Sequence, residues 1–113
     1  MPRPYELYLN DVLEAIGRIE EYTARLSYAD FAKNKLVSDA VVRNLEIIGE
    51  AVKMLPQEIK KKYPEVEWRK IAGLRDIIAH EYFGINAAII WDIVENKIPE
   101  LKVSITKIRK ELK

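Results

Sequence analysis

Apolar residues recur at intervals of three and four along most of this chain, and that spacing limits its fold more than any other feature. Tyr5, Leu9, Val12, Ile16 and Ile19 form one stripe, with Tyr8 and Ala15 beside it. Val41, Leu45, Ile48, Val52 and Leu55 form a second, and Leu101, Ile105, Ile108 and Leu112 a narrower third. A period near 3.6 gathers such residues on one side of an α-helix. No segment alternates apolar and polar residues between hairpin turns. The chain is predicted to be all-α, an up-down helical bundle. Its 113 residues make one domain, 1–113.

The punctuation places the helices. The first runs from about Pro4 to Leu26. Ser27 and Asp30 have the spacing of a capping box that opens a short turn of helix around Phe31. A long helix from about Lys35 to Leu55 carries Gly49 in its interior. A glycine there costs about 1 kcal/mol against alanine, so a tight helix crossing is expected at that point, with Glu50 at the surface. Pro56 opens a short helix, Gln57 to Tyr63, that Pro64 stops. The next helix runs from Trp68 to about Ala79. Asn86 is expected to cap another through about Asn96, with Ile85, Ile89 and Ile93 inward and Trp91 near its edge. Pro99 either kinks this helix or begins the last one.

Composition removes several functions. There is no cysteine, hence no disulfide, thiolate nucleophile or Cys-ligated zinc. One histidine argues against a metal centre within one chain. No apolar run approaches the roughly 20 residues that span a membrane, and Met1-Pro2-Arg3-Pro4 has no apolar signal core. A soluble, cytoplasmic protein is the expectation. A net charge of +1 gives no global case for nucleic acid. Lys60, Lys61, Lys62, Arg69 and Lys70 form a local basic patch, read first as a solvated helix end.

The chemistry concentrates in Gly73-Leu74-Arg75-Asp76-Ile77-Ile78-Ala79-His80-Glu81-Tyr82-Phe83-Gly84, which holds the lone histidine. Asp76 and His80 are four apart and can touch on a helix, so Asp76 could orient the imidazole. Arg75 and His80 are five apart, a rotation of roughly 140°. They share a face only if the helix loosens after Ala79 or a second chain contributes. Arg75 and Tyr82 fall on the stripe of Trp68, Ile71 and Ile78, where a guanidinium needs a partner, water or an interface. Arg-x4-His alone is weak, since seven of 113 residues are arginine. By spacing alone, His80 reads as a helix C-terminal residue facing the dipole.

The longer context is more specific. Residues 43–51, Arg-Asn-Leu-Glu-Ile-Ile-Gly-Glu-Ala, and residues 68–82, from Trp68 through Arg75-Asp76 to His80-Glu81-Tyr82, resemble the HepT-like toxins of the HEPN superfamily. A looser likeness covers nearly the whole chain. The resemblance implies a HEPN-type helical bundle that acts as a homodimer or an assembly of dimers. It implies a metal-independent ribonuclease with no cofactor, in which Arg75, Asp76 and His80 are catalytic and RNA, tRNA included, is the substrate. It also implies an MntA-like nucleotidyltransferase antitoxin that silences the toxin by transferring AMP to Tyr82. The residues suit that chemistry. RNA brings its own 2′-OH nucleophile, histidine can act as base or acid near neutral pH, and arginine can hold the phosphate. Two further classes stay open: a non-catalytic helical dimer that engages a nucleotidyltransferase, and a purely structural bundle.

Overall fold

The computed structural model describes the backbone of residues 3–81 and 87–112, and side chains throughout these except at positions 75, 77 and 79–81. Among the described residues every regular element is helical: α1 Tyr5–Thr23, α2 Tyr28–Lys33, α3 Lys35–Lys53, α4 Gln57–Lys62, α5 Trp68–Glu81, α6 Ala87–Asp92, a π-helical turn Ile93–Lys97, and α7 Ile98–Glu111. The expected all-α bundle is therefore what the chain forms.

Local chemistry sets most helix ends. The Ser27 side chain accepts from the Asp30 N–H while Asp30 accepts from the Ser27 N–H, closing the capping box that opens α2. Asn34 caps α3 through the Val37 N–H. Pro56 caps α4, and α4 ends at Tyr63, before Pro64.

The two long helices α1 and α3 lie against each other, α5 packs on α3, and α7 on α1. Leu9, Val12, Ile16 and Ile19 of α1 meet Val41, Leu45, Ile48 and Val52 of α3, and Ile105 and Ile108 of α7 complete the centre, all without solvent exposure. Gly49 is buried on α3 and Glu50 is exposed. Polar ties hold α7 in register. The Tyr5 hydroxyl donates to the Leu112 carbonyl at 3.2 Å, and Lys102 pairs with Glu20 of α1 at 3.0 Å.

One expected stripe holds only in part. Ile93 is half-buried against the core, as expected, but Ile89 is 58% exposed; Ile90 and Val94 are the buried residues of that segment. The reason is continuity. Residues 87–111 form one helical run, so the stripe Ile98, Leu101, Ile105 and Ile108 of α7 fixes the phase backwards to Val94 and Ile90. Of the two alternatives for Pro99 the second holds: it sits in the first turn of the last helix, α7, directly after the π turn. Proline has no N–H, and its ring conflicts with the carbonyl four residues earlier, so widening the preceding turn relieves both problems. Trp91 is half-buried against Phe31 of α2, ring centroids 5.1 Å apart, and so clamps α6 to α2.

Candidate functional site on the fifth helix

Helix α5 is anchored at both ends of its described face. Trp68 is buried, and its indole N–H donates to the Tyr63 carbonyl at 2.9 Å, fixing the helix start against the turn that follows α4. Ile78 is buried near the other end, with Ile71 and Leu74 half-buried between them.

The helix does not stop near Ala79. It continues as α-helix through Glu81, so positions 75, 76 and 80 all lie on one unbroken element. The loosening that would have let Arg75 and His80 share a face is not there. At 100° per residue, positions 76 and 80 both fall about 160° from Ile78 and are adjacent on successive turns. Asp76 is exposed, as that phase requires. Position 75 lies about 60° from Ile78 and about 140° from position 80. The structure thus brings the Asp76 and His80 positions together and keeps the Arg75 position apart from them within one chain. Tyr82, Ile85 and the expected cap at Asn86 lie outside the described residues.

The basic patch proves more organised than a solvated helix end. Lys60, Lys61, Arg69 and Lys70 surround an open cleft of about 750 Å³ between the end of α3, α4 and the start of α5. Lys53, the last residue of α3, joins them. Sequence reading missed Lys53 because only the α3–α4 turn brings it near Lys60, whose ammonium lies 3.5 Å from the Lys53 carbonyl. Lys62 turns away, over the Tyr63 ring. Partial burial pushes the Lys60 ammonium below its ordinary range. The hydrogen bond from Lys70, 2.8 Å away, holds the Glu67 carboxyl below the usual carboxylate range and raises Lys70 in turn. Beside this cleft lies an apolar trough of about 430 Å³ between α5 and α7, passing Ile71, Gly73 and Leu74. Among the described residues no cluster of three or more His, Cys, Asp or Glu could hold a metal, and no helix is long and apolar enough to cross a membrane.

The model of the HepT-like family, described as "Ribonuclease HepT-like", matches residues 12–108, spanning α1 to α7 and all of α5. The chain belongs to the HepT-like ribonuclease family. HepT-like relatives cover it almost end to end. It is 44% identical over 110 residues to the Probable ribonuclease HepT of Thermococcus cleftensis, covering 97% of this chain and 100% of that one. A candidate RNase of Methanocaldococcus jannaschii is 47% identical over 105 residues, 93% of this chain and 87% of that protein. A longer protein of the same organism, named for gamma-glutamylcyclotransferase and candidate RNase functions, is 45% identical over 112 residues. The chain spans 99% of itself but only 50% of that relative, so the HepT-like part there is about half of a larger protein. No solved structure gives a significant match.

Proposed function

We propose that this HepT-like chain is a metal-independent endoribonuclease and the toxin of a toxin–antitoxin pair. Its support is family membership across residues 12–108 together with one feature of α5: the Asp76 and His80 positions are adjacent on successive turns of an unbroken helix. His80 removes the proton of an RNA 2′-OH. The 2′-oxygen attacks the adjacent phosphorus, the bond from phosphorus to the 5′-oxygen breaks, and an acid returns a proton to that oxygen. The products are a 2′,3′-cyclic phosphate and a 5′-hydroxyl. Arg75 holds the phosphate and offsets its growing charge. Asp76 orients the imidazole.

The phase of α5 supports a composite site. Arg75 is about 140° from His80 around one helix, and one histidine cannot be both base and acid in a single concerted step. A second copy across a two-fold axis would supply the missing Arg75 and the second His80. A cytoplasmic nucleotidyltransferase antitoxin of the MntA kind silences the dimer by attaching AMP to Tyr82. The single domain 1–113 carries all of these residues.

The deciding experiment incubates pure protein with labelled tRNA and total RNA in EDTA, beside its His80→Ala form. Wild type should cut and leave cyclic phosphate ends. His80→Ala should stay folded and lose about a hundredfold or more of the rate. Cleavage by folded His80→Ala at the wild-type rate would overturn the assignment.

A further inference from the structure

We propose that the cleft formed by the end of α3, α4 and the start of α5 binds the phosphate backbone of single-stranded RNA and leads the strand along α5 to the reacting residues. This rests on the ribonuclease reading and adds the surface that holds the substrate.

Charge carries the argument. Five cations, Lys53, Lys60, Lys61, Arg69 and Lys70, line the cleft with one carboxylate, Glu67. The cleft therefore holds +4 in a chain whose net charge is only +1, leaving −3 for the rest of the molecule. Net charge hid this asymmetry. Among the described residues Lys53, Lys61 and Arg69 hold no ion pair, while Lys70 alone answers Glu67. Like charges gathered around a single carboxylate repel one another, and a polyanion is the ligand that relieves this.

Shape selects the strand. The cations line the walls of a concavity between three helices, whereas reading a duplex takes an element that enters its groove. A single strand fits such a channel, with phosphates on the cations. Trp68 is buried and bonded to Tyr63, so it offers no stacking platform. Holding by phosphates alone is tolerant of sequence.

Direction follows from the neighbouring trough. It shares Val66, Glu67 and Lys70 with the cleft, then passes Ile71, Gly73 and Leu74 on the next turn of α5, with Glu65, Lys97 and Glu100 also on its lining, so the phosphates are held in the cleft and the trough only guides the strand. A Cβ at Gly73 would meet nothing within 4 Å, so the path there is open. From Lys70 to His80 is about 15 Å along the helix axis.

The test measures binding apart from cleavage. A labelled 2′-O-methyl RNA strand lacks the attacking hydroxyl and stays intact with the wild-type protein. Lys61→Glu and Arg69→Glu, each checked for fold by circular dichroism, should weaken its binding several-fold. Each should also flatten the plot of log affinity against log salt by about 0.7, the contribution of one phosphate contact on a single strand. Lys107→Glu makes the same charge change on an exposed face of α7 that lines neither depression, and should bind within about twofold of wild type. Equal losses in all three variants, or tighter binding of duplex DNA than of the RNA strand, overturn the proposal. Cleft-dependent binding by a wild type that fails to cut natural RNA would defeat the ribonuclease reading and leave the cleft standing. Cleavage and binding that ignore both cleft substitutions would do the reverse.

Discussion

At the scale of single residues, two side chains give the sharpest tests. Tyr82 follows His80 by two residues, close enough that an AMP on its hydroxyl would reach the space the scissile phosphate needs. The added phosphodiester is anionic and would compete for Arg75. Tyr82→Phe should therefore keep nuclease activity and escape silencing. Intact mass after co-expression with the antitoxin and ATP should show added AMP on wild type and none on Tyr82→Phe. Additions mapped to another residue would end this role for Tyr82. Asn44 tests the core. It is 5% exposed, and its amide N–H donates to the Ala40 carbonyl at 2.9 Å, but its buried side-chain oxygen finds no partner among the described residues. An unpaired buried acceptor costs about 1–3 kcal/mol, more than the roughly 1 kcal/mol the single bond returns. Asn44→Leu, which keeps the branching but is bulkier, should leave stability unchanged or raise it by about 1 kcal/mol in urea unfolding, provided the core takes up the added volume. A loss beyond that would show that the carboxamide holds a structural contact of greater value.

At the scale of elements, helices here are specified locally and oriented by their neighbours. Gly17 illustrates the local part. It lies exposed in the interior of α1, and a Cβ there would meet nothing within 4 Å. Nothing in the packing requires glycine, so its backbone freedom in the unfolded chain is a pure cost. Gly17→Ala should stabilise by about 0.5–1 kcal/mol and raise Tm by roughly 4 °C, read by thermal circular dichroism. A lower Tm would mean that some contact forbids the methyl group. Helix α5 illustrates the other part. Its stripe of Trp68, Ile71, Leu74 and Ile78 turns one side to the bundle and leaves Asp76 exposed. The face that carries Asp76 is what remains once the core has chosen its side.

At the scale of the whole molecule, the proposed composite site requires a second chain. The chain is 13.2 kDa, and ultracentrifugation at micromolar concentration should give twice that mass or an even multiple. A clean monomer that still cuts RNA would remove the composite site. The bundle is somewhat elongated, 41 × 28 × 26 Å, with a radius of gyration of 14.1 Å against about 13 Å for a compact chain of this length. Its charge is unevenly spread, with the basic cleft at the junction of α3, α4 and α5.

Sequence alone determined the helices, because what makes a helix acts over three or four residues. The stripes of α1 and α3 became the core, the Ser27–Asp30 capping box closed as its spacing required, and Pro64 ended the α4 segment. The motif and its family were also legible, since both are patterns in the chain itself. The tertiary structure decided what depends on contacts between distant residues. It ran α5 on to Glu81, and it set the phase of α6 by its continuity with α7, burying Ile90 in place of Ile89. It also folded Lys53 back beside Lys60, Lys61, Arg69 and Lys70. No local pattern carries that last fact, because a charge cluster is a property of where helices cross, and crossing is settled by the apolar faces that the charges leave uncovered.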